Sequence, residues 1–105
     1  SDTRGFHVEI FGPVVAVTPF DEDDEVVALA NDSTYGLAAA VYTRDLSRAH
    51  SLALRLDAGS VTLNCQMMWD ADVSFGGFKQ SGWGYENGEL GLDSYLRSKS
   101  VWTMV

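Results

Sequence analysis

The chain has 105 residues, 46% of them hydrophobic, with 15 acidic against 7 basic side chains and a net charge of −8. That size and apolar content suit a single domain over residues 1–105, able to bury roughly 60–70% of its unfolded surface. The acidity argues against nucleic acid and against a membrane surface, no apolar run approaches the ~20 residues of a bilayer crossing, and one cysteine, Cys65, leaves no internal disulfide and fits a reducing cytoplasm.

The opening, Ser1 to Ile10, has no charged-then-apolar leader pattern and reads as the interior of a longer chain. Within "VEIFGPVVAV" stands one acid, Glu9, one residue before Ile-Phe-Gly-Pro. An ionised carboxylate out of water costs several kcal/mol unless paired, so Glu9 is solvated, satisfied locally or meant for a ligand. Pro13 to Phe20 is a β-branched run closed by Pro19 and predicts a strand. Five acids then precede Val26, Val27, Leu29 and Ala30, which predicts a helix from about Asp21 to Ala30 with its acids at the positive end of the dipole. These acids are consecutive and lack the alternation and glycine of a calcium loop, so no metal site is expected. "NDSTYG" is turn chemistry.

Leu37 to Thr43 is nearly all apolar, as in a strand covered on both faces. Asp45 is placed to cap a helix through about Leu56, with Leu46, Ala49, Ala53 and Leu56 toward the core and Arg44, Arg48 and Arg55 in water. Ser60 to Asn64 predicts a third strand. Strand, helix, strand, helix, strand with short connections implies an α/β fold with an open, mainly parallel βαβαβ sheet. A long irregular loop follows Asn64, of the length that usually serves function. "ENGELGLDSYL" predicts a short helix weakened by Gly88 and Gly91, and residues 98–105 alternate as a final strand. That strand has no obvious neighbour here; it pairs with another chain, or forms an edge of the same sheet.

Open parallel sheets take ligands beyond the carboxyl ends of their strands, where Met67, Met68, Trp69 and Phe75 follow Asn64. They form either the wall of an apolar pocket or a satellite core under a loop. "GGFKQSGWG" has neither dinucleotide-fingerprint nor Walker spacing. Cys65 has no recognisable base, since His7 and His50 are in no partner motif, and it reads as non-catalytic.

The segments "EIFGPV" (Glu9 to Val14), "ANDSTYGLAAAVYTRDLSRA" (Ala30 to Ala49), "AGSVTLN" (Ala58 to Asn64) and "FGGFKQSGWGYENGELGLDSY" (Phe75 to Tyr95) closely resemble the C-terminal fifth of the aldehyde dehydrogenase superfamily. The match runs in order over nearly all of the chain from Glu9 onward. In that family a cysteine attacks the aldehyde, hydride passes to NAD or NADP, and a glutamate-activated water hydrolyses the thioester. The resemblance implies that Glu9 and Phe11 contact the ribose and nicotinamide end of the cofactor, which would explain the lone acid. In an extended chain the two point to one side, and a carboxylate accepts hydrogen bonds from both hydroxyls of a ribose.

It further implies that Met67, Trp69 and Phe75 line the aldehyde tunnel, their bulk suggesting a hydrophobic or arylalkyl aldehyde. Residues 98–105 would complete a neighbouring subunit's sheet, giving a homo-oligomer, or dock on the rest of the parent chain. Two positions depart from the family: Ser74 stands for its usual proline, and Tyr85 for its arginine. The family's nucleophilic cysteine, general-base glutamate and cofactor domain lie earlier in its chains, so no catalytic residue is expected here. The expectation is a C-terminal catalytic-domain segment, inactive alone. The alternative is a stand-alone interaction or structural module derived from the family.

Overall fold

The computed structural model describes residues 8–66 and 68–105. Helix α1 (Asp23–Asn31) opens with Asp23, Asp24 and Glu25 in its first turn, where carboxylates meet the positive end of the helix dipole. The turn after it leads into β1 (Tyr35–Gly36) and β2 (Ala38–Val41). Helix α2 (Leu46–Arg55) is capped as its sequence predicts: the Asp45 side chain accepts from the Arg48 backbone N–H at 3.0 Å. Strand β3 (Ser60–Leu63) then lies parallel to β2, with Ala38 opposite Ser60 and Val41 opposite Leu63. The two-residue period of a strand puts Ala39, Val41, Val61 and Leu63 on one face and Ala38, Ala40, Ser60 and Thr62 on the other. The first face meets the helices, where Val27, Ala49 and Leu52 are buried.

This parallel β–α–β unit is the part of the expected βαβαβ sheet that forms among the described residues. Residues 13–20 run exposed and without strand pairing among the described residues, because a β-branched run becomes a strand only where a neighbour takes its backbone groups. Residues 98–105 likewise have no strand partner among the described residues, and Trp102 is 94% exposed. The loop after Asn64 contains short strands that the sequence does not announce. Strands β4 (Phe75–Gly76) and β6 (Tyr85–Glu86) pair antiparallel, and β5 (Phe78–Lys79) pairs antiparallel with β1. Helix α3 (Gly88–Asp93) follows. With these arms the chain extends over 69 Å and has a radius of gyration of 18.3 Å, against about 13 Å for a compact unit of this length.

Two side-chain expectations change. Leu46 is exposed and Leu52 is buried in its place, because β2 ends at Val41 and leaves the first turn of α2 hanging past the sheet. Arg48 and Arg55 are not simply solvated: Arg48 grips Asp23 through Nε at 2.9 Å and Nη2 at 2.6 Å, and Arg55 pairs with Asp24 at 2.5 Å. The acid run of α1 is thus the docking strip for α2. Asn31 finishes the joint, donating to the Arg55 carbonyl at 2.9 Å and accepting from the Asp57 N–H at 2.8 Å.

The Arg48 guanidinium, chiefly through its hydrogen bonds, holds the Asp23 carboxyl below its ordinary value of 3.8. The unfolded chain therefore binds this proton at higher pH than the folded one. The stability the pair supplies is complete above the ordinary value and falls away as pH drops through the lower folded value. Acid titration of the unfolding midpoint below pH 4 should show this limb, and Arg48→Ala should flatten it. An unchanged limb in that variant would remove the pair as its cause.

Candidate functional site

At the carboxyl ends of β2 and β3 the chain turns sharply off the sheet. Asn64 takes the left-handed conformation (φ 55°), and its side-chain oxygen accepts from the Thr43 N–H at 2.9 Å. The Thr62 hydroxyl donates to the Cys65 carbonyl at 2.9 Å. These bonds fold the following loop back over the small-residue face of the sheet. Between them lies a hollow of about 430 Å³, floored by Ala38, Ala40, Ser60 and Thr62 and walled by Met68, Trp69 and Phe75. Its lining includes no charged side chain. It suits an apolar or aromatic small molecule, with hydroxyls at its floor for orientation.

Phe75 owes its place to a close backbone crossing. A Cβ built on Gly59 would overlap the Gly76 carbonyl oxygen, and the Gly59 N–H donates to the Gly36 carbonyl at 3.0 Å. Only glycine lets the start of β3 pass so near β4, which brings Phe75 to the edge of the hollow. Trp69 remains 71% exposed there, its ring free to meet a ligand. Met67, the third residue expected here, lies outside the described residues.

Glu9 and Phe11 stand elsewhere, on the exposed segment before α1, and neither lines the hollow. Phe11 is 87% exposed. Immediately after it Gly12 adopts φ 99°, and the Val14 N–H closes a three-residue turn on the Gly12 carbonyl at 2.9 Å. The turn presents an acid and an aromatic ring on an accessible arm, and Glu9 forms no ion pair among the described residues.

Cys65 is half-buried and His50 exposed; no hydrogen bond joins them among the described residues. No group of three or more His, Cys, Asp or Glu is placed to hold a metal, and no helix is long and apolar enough to cross a membrane, among those residues. Sequence reasoning missed the floor of the hollow. Part of the signal was available in β3, where the hydroxylated Ser60 and Thr62 alternate with the apolar Val61 and Leu63. It did not reveal that Gly59 and Gly76, far apart in the chain, would touch.

Residues 1–101 match the model of the aldehyde dehydrogenase family. The chain is 52% identical to betaine aldehyde dehydrogenase 2 of Rhizobium meliloti over 93 residues, 89% of this chain and 19% of that protein. It is equally 52% identical to aldehyde dehydrogenase [NAD(P)+] 2 of Saccharomyces cerevisiae, over 89% of this chain and 18% of the relative. In structure it is similar to an NAD+ complex of an aldehyde dehydrogenase from Bacillus cereus, with a TM-score of 0.87 and 49% identity over 92% of this chain and 20% of that one. The chain thus spans about a fifth of the relatives it matches. It belongs to the aldehyde dehydrogenase family.

Proposed function

We propose that the chain is the C-terminal part of the catalytic domain of an NAD(P)-dependent enzyme that oxidises an aldehyde to a carboxylate. The observation that carries this reading is the family match over residues 1–101 by a chain covering only about a fifth of its relatives. The exposed Phe11, Trp83 and Trp102 support it, since apolar surface of that kind belongs under further protein. In this reading Glu9 and Phe11 meet the ribose and nicotinamide end of NAD or NADP, which the complete enzyme binds. Met67, Trp69 and Phe75 wall the path of a hydrophobic or arylalkyl aldehyde. Residues 98–105 serve as an oligomerisation strand, docking on a neighbouring subunit or on the remainder of the parent chain within the cytoplasm.

Cys65 does not stand at the family's nucleophile position, so the 105 residues alone carry out no oxidation. The test is NAD(P)H formation from acetaldehyde, by this chain alone and after addition of an upstream segment bearing the reactive cysteine and glutamate. The expected result is none alone and turnover on complementation. Turnover by the chain alone overturns the reading, and failure of complementation with a folded upstream segment favours a stand-alone interaction module instead.

A further inference from the structure

The turn before α3 is held in an unfavourable conformation. Asn87 sits at φ 60° and ψ 169°, a region that is nearly glycine-only, and Gly88 follows at φ 57°. The Asn87 side-chain nitrogen is moreover buried with no hydrogen-bond partner among the described residues. Such strain persists only where the surroundings over-determine it, and here the surroundings are the loop that carries Trp69.

Three contacts tie the turn to that loop. The Gly88 N–H donates to the Ala71 carbonyl at 2.9 Å. A Cβ on Gly88 would come within 2.6 Å of the Ser74 hydroxyl and 3.0 Å of the Asp72 carbonyl oxygen. Glu86, one residue before the turn, pairs with Phe75 across β6 and β4. The turn thus grips the C-terminal half of the loop, from Ala71, two residues after Trp69, to Phe75 itself. Helix α3 locks it from behind, since a Cβ on Gly91 would approach the Glu86 carbonyl carbon to 2.8 Å.

We propose that Asn87 and Gly88 are positioning residues that fix the separation of Trp69 and Phe75, and so set which bulky aldehydes the hollow admits. The inference rests on the functional reading above. Neither residue lines the hollow; both act through the loop.

The experiment places Gly88→Ala and Asn87→Gly separately in the full-length enzyme and compares acetaldehyde with phenylacetaldehyde. Gly88→Ala pushes the loop outward. Asn87→Gly relieves the strained backbone and is well placed to fold, while glycine's wider backbone freedom and the loss of the buried side chain let the loop slacken. Each should raise KM for phenylacetaldehyde by about tenfold or more, since ångström-scale misplacement costs up to about a hundredfold. kcat and KM for acetaldehyde should stay within about twofold, because the small aldehyde does not need both rings. Adding Ser74→Gly to Gly88→Ala removes the nearest colliding atom and should recover part of the loss. A turn that merely supports folding would instead lower activity toward both aldehydes together, and that result, or unchanged KM in Asn87→Gly, overturns the proposal. No NAD(P)H from either aldehyde with the unaltered sequence would overturn the functional reading instead.

Discussion

Gly59→Ala is expected to destabilise the protein by at least about 3 kcal/mol, the upper end of ordinary overpacking, because its new methyl meets backbone rather than a movable side chain. The Gly76 carbonyl oxygen occupies the space a Cβ would need, and its carbonyl carbon would lie only 2.7 Å away. Relief requires β3 and β4 to part. Parting them breaks the bond from Gly59 to the Gly36 carbonyl and carries Phe75 off the hollow. Gly84→Ala is the matched control: a Cβ there meets nothing within 4 Å and its φ is not positive. Its effect should stay within about 0.5 kcal/mol. Denaturation midpoints of the two variants measure the difference, and a Gly59→Ala midpoint equal to that of Gly84→Ala would mean that the crossing is looser than the geometry states.

Glu9→Ala in the full-length enzyme should raise KM for the nicotinamide cofactor about tenfold to a hundredfold, with the unfolding midpoint unchanged. The magnitude follows from hydrogen bonds to a charged acceptor, worth about 1.5–3 kcal/mol, of which each 1.4 kcal/mol is a factor of ten. The unchanged midpoint follows from the position of Glu9 on an exposed arm, where it supports no core. Glu9→Gln keeps one acceptor oxygen and should fall between. A cofactor KM indifferent to both substitutions would take Glu9 out of the binding site.

The helices and the parallel pair were legible because their causes are local. Asp45 caps α2 through a bond to a residue three positions on, and the place of Ala49 in the core needs only helical geometry, whereas the burial of Leu52 in place of Leu46 depends on where the sheet ends. β2 and β3 are apolar enough to announce themselves, and the helix between them dictates parallel pairing. The failures at residues 13–20 and in the loop after Asn64 share one physical reason. A strand exists by virtue of its partner, and neither an arm without one nor a pair of two-residue strands leaves a period to read. The hollow was half legible. Position alone left Trp69 and Phe75 as either a pocket wall or a satellite core, and the resemblance favoured the wall, whereas the floor depends on which face of the sheet the loop covers. The pairing of Arg48 with Asp23 was missed because it spans 25 positions and two helices.

The turn at Asn87 and Gly88 also bears on how the protein ages. An asparagine followed by glycine is prone to cyclise, the glycine nitrogen attacking the side-chain carbonyl carbon and expelling ammonia to leave a succinimide, which hydrolyses to aspartate or isoaspartate. Here that nitrogen is occupied, since its hydrogen is held by the Ala71 carbonyl at 2.9 Å, and the backbone around it is pinned. Deamidation at this dipeptide must therefore wait for the turn to open, so accumulated isoaspartate at position 87 becomes a chemical clock for local unfolding.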